Sequence, residues 1–201
     1  MWKRSVSSLS VLGLLLLIST TAIAPALLSA QDSAEAEREL QIAERFLQVL
    51  LRRPSPGTAL DRVYGYHIQA GTLDQLMTDL KNEAGKGGDE AGARYMLLGL
   101  LQLQRGSDAE AADSLAKAEE YRDQDAMASY YLGKALLMVG RTDAAAQALE
   151  RAIERKPIRS QALPIFTLLG RRYRRCQQDE KALSVWQRLE ESFPGDARVG
   201  G

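Results

Sequence analysis

Residues Ala126 to Pro157 read AMASYYLGKALLMVGRTDAAAQALERAIERKP. Shifting this stretch back by 34 positions lays Gly133 on Gly99, Gly140 on Gly106, Ala145 on Ala111, Leu149 on Leu115 and Ala152 on Ala118. Self-similarity at a fixed period marks a tandem array, in which each unit buries its apolar face against its neighbours. The repeat therefore decides the architecture before any local reading does.

The period and the small-residue pattern, with Leu132-Gly133, Ala145, Ala152 and Pro157 at the signature places, resemble the tetratricopeptide (TPR) family. That resemblance implies an all-α fold, a right-handed solenoid of antiparallel helix pairs. It places Gly133 and Ala145 where the two helices of a hairpin cross, with Ala152 against the next unit. Small side chains there let the backbones approach.

Working outward, the array divides into units at 90–124, 125–161 and 162–196, with a tail at 197–201. The first holds Tyr95, Leu98-Gly99, Gly106, a Ser107/Glu110 capping box, Ala111, Leu115 and Ala118. The last follows a three-residue lengthening around Ile158 to Gln161. It holds Phe166, Leu169-Gly170, Tyr173, Ala182, Trp186 and Leu189, the best match to the family's aromatic places. Before them, 58–89 reads as a degenerate unit with a Gly-rich link. Gly71 makes its turn and Thr72 with Gln75 caps its second helix, but the family's small residues are missing. Residues 31–57 read as one helix from Asp32, capped by Asp32 and Glu35 and ended by Pro54 and Pro56-Gly57, a half-repeat covering the N-terminal end of the stack.

Residues 1–30 have the form of a secretory signal peptide: basic Lys3 and Arg4, an apolar run from Val11 to Ile18, Pro25 and a small-residue exit at Leu28-Ser29-Ala30. The expected mature chain starts at Gln31 and is periplasmic or extracellular. The alternative is an uncleaved anchor in the inner membrane formed by residues 11–28, the one route to membrane association. Removing residues 1–30 takes out Lys3 and Arg4 and no acid, so 24 bases and 26 acids remain, a net charge of −2. That balance gives no sign of nucleic-acid binding. Cys176 is the single cysteine, so no intramolecular disulfide forms and stability rests on packing.

No catalytic constellation is visible, and the chain is read as not an enzyme, with no cofactor and no metal. His67 has no carboxylate or thiol at helical spacing and reads as structural. Cys176 lies among Arg172, Arg174 and Arg175, which would favour a thiolate, or else it fills a helix crossing. The carboxylate pairs Glu119-Glu120 and Glu190-Glu191 read as solvated helix faces.

The family's groove positions, carried onto this chain, fall on Met96, Leu100 and Leu103, then Tyr130, Lys134 and Leu137, then Thr167, Arg171 and Arg174. Apolar character gives way to basic along that line, which suits an extended or helical peptide with apolar anchors and an acidic end. The competing reading makes the arginines a solvated face and the first three residues core. Asparagines are absent from these helices, so the TPR carboxylate clamp for chaperone tails is incomplete.

The expected function is an exported protein-protein interaction scaffold. The alternative is an accessory module of a larger envelope enzyme or assembly complex. Leu183, Val185, Trp186 and Leu189 on the last helix suggest an apolar end through which the chain self-associates.

Overall fold

A computed structural model describes the backbone from Ile23 to Pro194 and the side chains from Ala34 to Pro194. The described residues form helices and no strand. In order these are α1 (Ile23–Arg52), α2 (Thr58–Gln69), α3 (Leu73–Gly85), α4 (Ala91–Arg105), α5 (Asp108–Tyr121), α6 (Ala126–Met138), α7 (Thr142–Glu154), α8 (Arg159–Arg175) and α9 (Asp179–Ser192). The chain divides into two units, Met1–Arg45 and Phe46–Gly201. The described part of the first is a length of α1. This helix begins ahead of Asp32, which therefore sits within it rather than at its cap. The leader reading rests mostly on residues 1–22, which lie outside the described residues.

In the second unit, consecutive helices pair as antiparallel hairpins, and the crossings repeat one contact. A Cβ added at Gly99 would meet Leu115 Cγ at 2.5 Å, and one at Gly133 would meet Leu149 Cγ at 2.8 Å. One at Gly170 would meet Trp186 Cε2 at 2.9 Å. Each glycine faces the residue sixteen positions later, the spacing that an antiparallel hairpin of this length imposes. Leu115, Leu149, Ala111, Ala145, Ala118 and Ala152 are all fully buried. Burying each leucine contributes about 2 kcal/mol before entropy is counted.

The degenerate unit departs from expectation in an instructive way. Two of its small residues are present, for Gly65 and Ala84 stand 34 positions before Gly99 and Ala118 and Ala84 is fully buried, while Met77 takes the place of Ala111. What is missing is the partner. Lys81 occupies the place of Leu115, and nothing comes within 4 Å of a Cβ added at Gly65.

The turns follow the period as well. Gly106 and Gly140 end α4 and α6 at φ 84° and 77°, and Gln177 takes the same left-handed conformation at φ 56° after α8. Capping differs from the sequence reading. Thr72 and Ser107 precede α3 and α5 without capping them. The short turns bring each hydroxyl to the end of the preceding helix instead. Thr72 Oγ1 lies 2.7 Å from His67 Nδ1, and Ser107 Oγ accepts from Arg105 Nε at 3.2 Å. Asp125 does cap, accepting the Met127 N–H at 2.9 Å at the start of α6.

The core is a strip in two clusters that share Met127 and Tyr130 as bordering residues, one reaching from Leu50 to Ala148 and the other from Ala126 to Leu189. At the last hairpin, Val185 and Leu189 are buried and Trp186 is half-buried against Gly170. Of the four residues expected to form an apolar end, Leu183 alone is exposed, at 60%. The first helices of successive hairpins touch, α4 with α6 and α6 with α8, while no comparable contact joins α5 to α7 or α7 to α9. The face carrying α4, α6 and α8 is therefore the inner one.

Candidate functional site

The inner face takes its character from residues that recur at helical spacing on α6 and α8. Tyr130, Lys134 and Leu137 follow at intervals of four and three, as do Thr167, Arg171 and Arg174, so each set stands in one stripe. Tyr130, Leu137 and Thr167 are half-buried, whereas Lys134, Arg171 and Arg174 are exposed. None of these three cations forms an ion pair among the described residues. Burial pushes the Tyr130 hydroxyl above its ordinary pKa of 10.0, so it stays a neutral donor at physiological pH.

Between α6 and α8 lies a depression of about 340 Å³, lined by Tyr130, Leu163, Pro164, Thr167, Leu168 and Arg171. Leu163 and Pro164 extend the Thr167 stripe one turn back along α8, a signal present in the sequence and not used there. Pro164 lacks the N–H that would bond the Ser160 carbonyl four residues back.

The α4 part of the stripe is corrected by the structure. Met96 and Leu100 are 1% and 3% exposed and belong to the core, with only Leu103 half-buried at the inner face. Being covered on one side by α5 and on the other by neighbouring hairpins, the centre of α4 has no free face. Arg172 also leaves the arginine run. It is buried on the opposite side of α8, where it reaches Asp143 at 3.4 Å and contacts the Cys176 sulfur. Cys176 itself is exposed at the end of α8, not packed at a crossing.

Glu119 is likewise no solvated carboxylate. It accepts from Arg151 Nε and Nη2 at 3.0 and 2.8 Å and from the Ser129 hydroxyl, with Arg155 at 3.3 Å. Burial pushes its pKa up, but the hydrogen bonds and the two guanidinium charges outweigh this and hold it below its ordinary value. The network ties α5, α6 and α7 together and is structural. His67 pairs with Thr72 and meets Tyr66 edge-on, and its pKa is lowered by burial. No group of three or more metal-ligating side chains gathers among the described residues, and no helix there is long and apolar enough to cross a membrane.

No protein-family model and no curated protein matches the chain. Solved structures do. One described as the crystal structure of MamA protein superposes with a TM-score of 0.55 at 18% identity, covering 83% of this chain and 96% of that one. A second crystal structure of MamA gives 0.54 at 23% identity, covering 68% and 78%. A third, MamA AMB-1, gives 0.53 at 17%, covering 83% and 94%. At these identities the likeness carries the fold alone: the chain is a TPR-type array of helical hairpins.

Proposed function

We propose that this chain is an exported, non-enzymatic scaffold that binds a protein segment along the inner face of its helical array, in a periplasm or at a cell surface. The observation that carries the reading is the depression between α6 and α8, where Tyr130, Leu163, Pro164 and Leu168 offer apolar contact beside the unpaired Arg171. Lys134 and Arg174 extend the positive edge, so the segment that fits has an apolar anchor followed by carboxylates. Export is supported by the basic, apolar and small-residue order of residues 1–30.

A photo-reactive residue at Thr167 should capture the partner in the native envelope, and Arg171→Glu with Arg174→Glu should abolish that capture at low salt while leaving helicity unchanged. Capture that survives the double substitution removes the electrostatic part of the reading. N-terminal sequencing of exported material should begin at Gln31, whereas material beginning at Met1 favours the membrane anchor.

A further inference from the structure

On the outer side of the array, α3, α4 and α5 enclose a slot of about 350 Å³ that holds a buried polar atom without a partner. Its floor is α4, with Tyr95, Leu98 and Gln102, and its two walls are α3 and α5. Gln102 is 8% exposed, and its Oε1 is buried with no hydrogen-bond partner. The amide nitrogen makes no hydrogen bond among the described residues either, so turning the amide over does not rescue it. Ser114, also 8% exposed, lines the slot beside it with its hydroxyl unengaged. Buried amide oxygens are almost always paired, so the orphaned Gln102 Oε1 calls for a ligand that supplies a donor.

The charges of the walls are ordered. α3 and α5 are both antiparallel to α4, as the Arg105–Asp74 ion pair at one end and Lys117 over the Tyr95 ring at the other show. The walls therefore run the same way. Glu110 and Asp113 stand at one end of the slot, and Lys81 and Lys117 at the other. None of these four has an ion-pair partner among the described residues. Glu110 and Lys117 are seven residues apart, about 10 Å at the helical rise of roughly 1.5 Å per residue. An extended peptide covers that length in about three residues.

We propose that this slot binds a short zwitterionic peptide of about three residues. Its ammonium lies between Glu110 and Asp113, its carboxylate lies between Lys81 and Lys117, and a main-chain amide pairs with the Gln102 carboxamide. The corresponding depression between α7, α8 and α9 is spanned by its own side chains, although the buried Arg172 Nε there has no partner among the described residues. There Glu150 accepts from Arg188 at 2.7 Å and from Tyr173 at 3.1 Å, and Arg172 reaches Asp143.

The test is a nitrogen-15 NMR titration of the full chain with trialanine, read at the Gln102 side-chain amide and the Ser114 backbone amide. Both should shift saturably while Thr167 on the inner face does not. Acetyl-trialanine-amide, which keeps the peptide groups and loses both charges, should bind about tenfold more weakly. Lys81→Glu with Lys117→Glu should cost about the same factor, and so should Gln102→Leu, read at Ser114. The proposal is overturned if no shift appears at about 10 mM trialanine, if the blocked peptide binds as tightly, or if the shifts fall on Thr167. Should Gln102→Leu fail to fold, the comparison of the two peptides on the native chain still decides.

Discussion

The hairpin α4–α5 and the hairpin α2–α3 share a glycine and an alanine at matching places and differ in what the glycine faces. Gly99 faces Leu115 across a contact that admits no Cβ, whereas Gly65 faces the place of Lys81 and meets nothing within 4 Å. A glycine at a crossing is useful only when an apolar partner fills the space it leaves. Lysine keeps its ammonium in water, so it does not fill that space, and it lines the outer slot instead. A degenerate repeat thus loses a crossing and contributes a charged wall.

The largest expected effect breaks the comparison directly. Gly99→Leu, or Gly133→Leu in the next hairpin, should cost roughly 3 kcal/mol or more by overpacking against Leu115 or Leu149. Gly65→Ala should raise stability by about 0.5–1 kcal/mol, since an open helical position gains from the loss of glycine's freedom. Chemical denaturation of the three variants checks both signs. Equal losses at Gly65 and Gly99 would mean the first hairpin is as closely crossed as the second.

A smaller effect concerns what holds the well-formed hairpins to each other. Glu119→Gln should destabilise the chain by about 1–3 kcal/mol at neutral pH, because Arg151 and Arg155 lose a buried carboxylate. The folded chain holds this group below its ordinary pKa of 4.5. Its contribution is therefore complete above 4.5 and is lost as pH falls through the lower folded value. Denaturation at a series of acid pH values should show a shallower decline for the variant than for the native chain. The smallest effect is at the turns: Gln177→Gly, matching Gly106 and Gly140, should stabilise by about 1 kcal/mol or less, as a thermal melt would show.

The array itself was legible in the sequence. The 34-residue offset, the three-residue lengthening before the last unit and the Gly133 and Ala145 crossing all rest on local spacing, which a regular helix converts into position. The inner-face stripe was partly legible for the same reason. Tyr130, Lys134, Leu137, Thr167, Arg171 and Arg174 lie where their spacing puts them, and Leu163 and Pro164 were readable one turn earlier. In the degenerate unit Gly65 and Ala84 stand in register with Gly99 and Ala118, while Met77 and Lys81 replace Ala111 and Leu115.

Spacing assigns a side chain to a face of its helix, and by itself it determined the hairpins and their order. What covers each face is decided by contacts between residues far apart in sequence, and only the tertiary structure supplied those. Met96 and Leu100 passed from groove to core because the hairpins flanking α4 close over them. Glu119 passed from a solvated carboxylate to the centre of a network because Arg151, 32 residues away, is brought beside it. Gln102 and Ser114 look unremarkable in their own helices. They come to line one slot, with Gln102 Oε1 left buried and without a partner, because α3 and α5 rise on either side of α4.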